Sequence, residues 1–242
     1  MDRRAAKDLV PRQLALSGRI VDYSFSRRRR RTLGITVGAD GLAVAAPLHM
    51  PWREIEAFLR GKERWIVAKL DEWSRSPRPS VLHGESGETL PLFGKTVVVD
   101  VHEGARAVKW HQDQLIVHAP RSRVLETLVH WLKARALEAL KPRTDHYAGR
   151  LDLPAPRVAL SSARRQWGLC SEDGSIRLSW RLVHLDPALA DYVIAHEVAH
   201  LAELNHSKRF WSLVARLYPE WREARERLEL AGASLPLFVT RG

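Results

Sequence analysis

His196, Glu197, His200, Glu203 and His206 fall within the eleven-residue stretch HEVAHLAELNH. The first five letters are the HExxH pattern of zinc-dependent hydrolases. On a helix, two residues four apart lie about 40° apart around the axis and one turn along it. His196 and His200 can therefore direct two imidazole nitrogens at one zinc ion. Glu197 flanks the ion without binding it and is placed to take a proton from a metal-activated water. Catalytic zinc takes three protein ligands, so a third is needed. His206 reaches the ion if the helix ends near Leu204 and the chain turns sharply. Asn205 suits that turn because asparagine tolerates the left-handed conformation. Glu203 shares the face of His196 but lies about 10 Å further along an unbroken helix, which suits an outer hydrogen bond better than ligation. An acid from the next helix, Glu220 or Glu223, is the remaining alternative.

The surrounding pattern predicts the elements that hold these residues. Asp186-Pro187 reads as an N-cap followed by proline at the first helical position, opening the helix that carries the histidines. Ser207 reads as the N-cap of a following helix over Lys208–Tyr218. Upstream, Val158–Ser161 and Arg164–Cys170 read as short extended segments, Glu172-Asp173-Gly174 as a turn and Ile176–Leu182 as a strand. From Arg121 an apolar face of Leu125, Leu128, Val129, Leu132, Ala136 and Leu140 predicts a helix, with Pro142 kinking or interrupting it. Three hairpins are expected before that: Thr32–Val37 with Leu42–Ala46, Leu90–Leu92 with Thr96–Val101, and Ala107–Trp110 with Leu115–His118. One long helix is expected over 51–73, with Trp52, Trp65 and Trp73 in its packing. SRSPRPS at 74–80 reads as a linker, and no internal repeat stands out.

The chain has 242 residues, 45% of them apolar, enough for one large domain or two small ones. Its apolar runs are too short to span a bilayer, and the charged N-terminus lacks the apolar segment of a signal peptide, so a cytoplasmic protein is expected. The lone Cys170 excludes an internal disulfide and a cysteine-rich metal site; it reads as a buried strand residue. The net charge is +11, and residues 1–31 hold ten basic against three acidic residues. Arg27, Arg28, Arg29, Arg30 and Arg31 could contact nucleic acid, or form a solvated lead-in that discourages edge-to-edge pairing.

Gln166-Trp167-Gly168-Leu169-Cys170, then Ile176–Leu182, then HEVAHLAELNHSKRFW, in that order, resemble the YgjP-like predicted metal-dependent hydrolases, which are related to SprT-like zinc metalloproteases. The resemblance spans roughly residues 20 to 225. It implies a zincin-like core with His196, His200 and His206 as ligands to one Zn2+ ion and Glu197 as general base. Leu169 departs from the family, which commonly has serine there. The expected fold is α+β: a β-hairpin-rich N-terminal region over 1–120, then a compact, mainly helical zincin-like catalytic domain over 121–242 with a short β-hairpin. The expected activity is zinc-dependent hydrolysis of a peptide or protein substrate. Trp167, Gly168, Leu169 and Cys170, or Ile176–Leu182, could offer an edge to which an extended peptide adds. Arg164, Arg165, His146 and Tyr147 are candidate electrophiles. The alternative is a nucleic-acid-associated binding protein, or DNA-associated protease, whose zinc is structural or weakly active.

Overall fold

The structure, a computed structural model, describes residues 10–38, 41–75, 79–163 and 166–239. Residues 1–9, 39–40, 76–78, 240–242, and Arg164 and Arg165 lie outside the described residues. The fold is α+β, in two compact units, Met1–Pro77 and Arg78–Gly242.

The first unit runs β1 (Val10–Leu16), β2 (Arg19–Arg28), β3 (Gly34–Gly38), β4 (Gly41–Pro47), α1 (Trp52–Gly61) and α2 (Glu63–Arg75). Its sheet has the order β1-β2-β4-β3, parallel between β2 and β4 and antiparallel at both outer pairs. Strand alternation puts Leu14, Leu16, Val21, Tyr23, Phe25, Leu42, Val44 and Ala46 on one buried face. Ile55, Leu59 and Ile66 cover that face from the helices. The single helix expected over 51–73 is broken at Lys62, whose amide is shared between the Phe58 and Leu59 carbonyls (φ −106°, ψ 9°) just after Gly61. Trp65 points outward, 44% exposed, so it does not join the core. Arg27 is also not a surface cation: its Nη1 donates to the carbonyls of Pro47, Leu48 and Met50 at 2.9–3.0 Å, closing the loop after β4. Arg28, Arg29, Arg30 and Arg31 are exposed.

The second unit opens with β5 (Val81–Leu82), β6 (Thr89–Leu92), β7 (Lys95–His102), β8 (Ala107–His111) and β9 (Gln114–His118), followed by α3 (Val124–Gly149). The boundary expected at 120/121 is not where the chain divides. Leu90, Leu92, Val97, Val99, Leu115 and Val117 share one continuous core with Leu128, Leu132 and the helices that follow, so these strands belong to the second unit. Pro142 does not interrupt α3: Leu132, Ala136 and Leu140 before it and Thr144 and Ala148 after it stay buried along one face. Then come β10 (Val158–Ser161), β11 (Gly168–Cys170) and β12 (Ile176–Ser179), a 3-10 turn over Trp180–His184, α4 (Pro187–Ala199), α5 (Lys208–Leu217), α6 (Trp221–Ala233) and β13 (Leu237–Phe238), which pairs with β5. β12 is shorter than the strand expected over 176–182. It lies in the middle of its sheet, parallel to β10 and antiparallel to β11, so only β11 has an open edge beside α4.

The two units contain the same module, contrary to the expectation of no repeat. The sheet β6-β7-β9-β8 repeats the order and strand senses of β1-β2-β4-β3. The tight turns also match: Ser17-Gly18 (φ 47° and 76°) and Phe93-Gly94 (φ 49° and 80°) each place two successive residues in the left-handed region, as a two-residue hairpin turn requires. The parallel registers Tyr23↔Leu42 and Phe25↔Val44 correspond to Val99↔Leu115 and Val101↔Val117. LAVAAP at 42–47 aligns with LIVHAP at 115–120, and the buried helix residues Ile55 and Leu59 align with Leu128 and Leu132.

Candidate metal centre

The site begins with the start of α4. Asp186 is its N-cap, with its carboxylate accepting from the Ala188 amide at 2.9 Å, and Pro187 takes the first turn as expected. The helix is buried through most of its length, from Leu189 to Ala199, which fixes its roll and hence the direction of His196 and His200. It ends at Ala199, earlier than the expected break at Leu204–Asn205. The amides of Leu201, Ala202 and Glu203 turn back onto the Val198 and Ala199 carbonyls, so the last turn tightens and unwinds at once. Asn205 makes no left-handed turn: among the described residues the non-glycine positions with positive φ are Ser17, Phe93, Gln112 and Asp152. Its carbonyl instead accepts from the Ser207 amide at 2.7 Å. Ser207 then caps α5, its hydroxyl accepting from the Phe210 amide at 3.2 Å.

This path brings the third histidine back. One ligand atom each from His196, His200 and His206 lie within 4.8 Å of one another, and among the described residues no carboxylate or thiol joins the group. The Nε2 atoms of His196 and His206 are 3.1 Å apart. Two nitrogens at zinc-bond length in a tetrahedron stand about 3.3 Å apart. His200 donates its Nδ1–H to the Glu203 carbonyl at 3.1 Å, which leaves Nε2 free for a cation. Burial is the main cause holding His196 down to about 4, with His200, His206 and Arg225 adding to it. Burial likewise lowers His200, opposed by its bond to Glu203. Both rings are thus neutral near pH 7, the form that ligates. The residues fit a small divalent cation.

Glu197, one residue on and about 100° around the helix from His196, packs against β11. It is 7% exposed, and burial pushes its carboxyl up to about 7, against the pull of a hydrogen bond from the Cys170 amide. Gly168 makes room for it. A Cβ on Gly168 would stand 2.4 Å from Glu197 Cγ and 2.5 Å from its Oε1. The residues read as a substrate edge thus first serve the carboxylate: Gly168 by its missing side chain, Cys170 by its amide. Leu169 between them points outward, 42% exposed. The Cys170 thiol is half-buried and pushed up to about 11, by burial and then by Glu197 and Asp173.

The Glu203 carboxylate is no ligand. It faces Arg209 at 3.9 Å, and the residue acts on His200 through its backbone carbonyl. Glu220 stands at the N-cap of α6 and Glu223 faces Arg227, both away from the histidine group. Of the candidate electrophiles, Arg164 and Arg165 lie outside the described residues. His146 packs on Tyr147, which is close to Asp191, Arg150 and Tyr218. The sequence reading missed four neighbours of the histidines. Phe210, fully buried, has its ring 4.4–4.9 Å from all three imidazoles. Trp211 lies 5.8 Å from His196 and His206. Tyr192, one helical turn before His196, lies 6.3 Å from it, and Arg225 adds positive charge nearby. The four-residue step from Tyr192 to His196 and the presence of Phe210 and Trp211 in the stretch HEVAHLAELNHSKRFW were the available signals; Arg225 arrives from another helix.

No curated protein matches the chain. The crystal structure of the zymogen of abylysin, a metallopeptidase of Pyrococcus abyssi, is similar over 40% of this chain and 99% of its own, at 23% identity and a TM-score of 0.37. The model of a family described as the YgjP-like metallopeptidase domain matches residues 31–231. That match extends from β3 through α6 and includes all three histidines, Glu197 and the strand that cradles it. The chain belongs to the YgjP-like metallopeptidase family, and with it to the metal-dependent peptidases.

Proposed function

We propose that the protein is a zinc-dependent peptidase in which His196, His200 and His206 hold one zinc ion and Glu197 is the general base. The convergence of three imidazoles beside a buried carboxylate is the observation that carries this reading. A zinc ion bound there supplies a Lewis acid for the scissile carbonyl and makes water acidic enough to attack near neutral pH. Glu197 accepts a proton from the attacking water and delivers it to the leaving amine. Burial beside the Cys170 amide, which raises its carboxyl in the metal-free chain, favours its taking up a proton. β11, as the outer strand of its sheet, supports an extended substrate segment alongside Leu169. The test is zinc content and cleavage of unfolded, fluorescein-labelled casein by wild type and Glu197→Gln. Full zinc occupancy with cleavage lost is expected. Wild-type turnover by Glu197→Gln would sink the mechanism.

A second reading concerns the partner. Arg28–Arg31 are four adjacent exposed cations on the first unit, which favours a phosphate backbone. Arg27 is excluded from this surface by its three carbonyl partners. Replacing the four with alanine should weaken duplex DNA binding and flatten its log–log salt dependence by about 3 to 4. An unchanged slope would remove the reading without touching the peptidase assignment.

A further inference from the structure

His206 is the weak point of the centre. His196 and His200 are carried by a buried helix, whereas His206 is exposed and sits in the loop between α4 and α5. We infer that Trp211 and Trp221 are positioning residues for the metal, acting through His206 as a stack of three rings. Trp211 lies in the first turn of α5, its amide donating to the Ser207 carbonyl, and its ring stacks on His206 at 5.8 Å and 29°. Trp221, the first residue of α6, stacks in turn on Trp211 at 4.3 Å and 21°. The Arg222 guanidinium closes the stack 4.5 Å above Trp221, and Arg225 lies 5.8 Å from the Trp211 ring.

The stack supplies what the loop lacks. Phe210 meets His206 edge-on at 4.7 Å and 77°, so it offers the imidazole no parallel face. A parallel face at Trp211 restricts that rotation, and Trp221 keeps Trp211 from turning away. One ring, Trp211, separates Trp221 from the imidazole, so Trp221 acts through that ring and not on the ion. α6 thereby becomes part of the metal centre without contributing a ligand. Groups that orient metal-binding histidines from behind change metal affinity by about 10- to 100-fold when removed.

The inference rests on the three-histidine reading, and the test separates the two. Zinc affinity of the full chain is measured by competition with a chromophoric chelator for wild type, Trp221→Phe, Trp221→Leu and His206→Ala. Leucine fills apolar space without a flat face, whereas phenylalanine keeps one. Trp221→Leu is expected to weaken zinc binding about 10- to 100-fold, with Trp221→Phe close to wild type. Equal behaviour of the Leu and Phe variants, whether both tight or both weak, overturns the stacking role. Wild-type affinity in His206→Ala overturns the ligand assignment itself. Loss in His206→Ala with none in Trp221→Leu removes only the inference drawn here.

Discussion

Replacing Gly168 with alanine puts a methyl group in place of a hydrogen, right against the Glu197 side chain. The new Cβ would lie 2.4, 2.5 and 2.6 Å from Cγ, Oε1 and Cδ of Glu197, against an ordinary carbon contact of about 3.5–4.0 Å. Gly168 has no positive φ, so alanine suits its backbone, and the strand gains the usual ~0.5–1 kcal/mol over glycine. Overpacking costs about 1–3 kcal/mol. The net loss of stability is therefore small. The chemical loss is not: Glu197 must swing off the Cys170 amide and out of reach of the attacking water. Removing a positioned base costs about 10²- to 10⁴-fold, roughly 3 to 5 kcal/mol of barrier. All three nearest atoms to the added carbon belong to Glu197, so zinc should stay bound. Steady-state cleavage of labelled casein by the zinc-loaded chain should show kcat reduced at least about 100-fold, with KM and zinc content unchanged. A kcat near wild type, or an equal fall in Leu169→Ala next door, would refute the reasoning.

Three further outcomes are expected. In the metal-free chain Glu197 keeps its proton up to about pH 7 when folded but only to 4.5 when unfolded. Its burial cost is thus absent below pH 4.5, grows between, and above pH 7 amounts to about 3 kcal/mol. His196 runs oppositely, with stability present above 6.5 and lost as pH falls toward 4. Denaturant unfolding should therefore show Glu197→Gln more stable than wild type at pH 8 and equal to it at pH 4.5. Arg27→Ala should cost about 2 kcal/mol by urea unfolding, because it removes three hydrogen bonds that close the loop after β4, while Arg29→Ala changes little. Cys170, pushed up to about 11, should react with Ellman's reagent at pH 8 on the order of 100 times more slowly in the folded than the unfolded chain.

Local chemistry was legible in the sequence: Asp186 and Ser207 cap the expected helices, the Leu92 and Gly41 hairpins form, and the three histidines meet. The route by which they meet was not. Helix termination at Ala199 depends on carbonyl satisfaction by the following turns, which no residue type in LAELNH announces. Glu203 acts through a backbone atom that every residue possesses, so its identity misdirected attention to the carboxylate. Gly168 looked like part of an edge strand because its meaning lies in a distance to Glu197, 29 positions away in the chain. Trp211 and Trp221 likewise require two helices to be brought together. The division at Pro77 falls inside the linker read at 74–80, but the placement of the later hairpins did not follow from it, because hairpins of both units share one alternation pattern; packing, not local pattern, assigns each sheet to its own core.

The repeated module sets the chain a problem of self-recognition while it folds. Every strand of one sheet has a counterpart of the same sense and register in the other, so each could pair with the wrong neighbour, a known failure of chains that carry like domains. Bulk opposes the exchange. Tyr23 and Phe25 fill the first core where Val99 and Val101 stand in the second, so a swapped β2 and β7 would leave voids in one sheet and crowd the other. Divergence between the copies therefore acts as a lock and key within a single polypeptide, directing each strand to the sheet whose spaces its side chains fit.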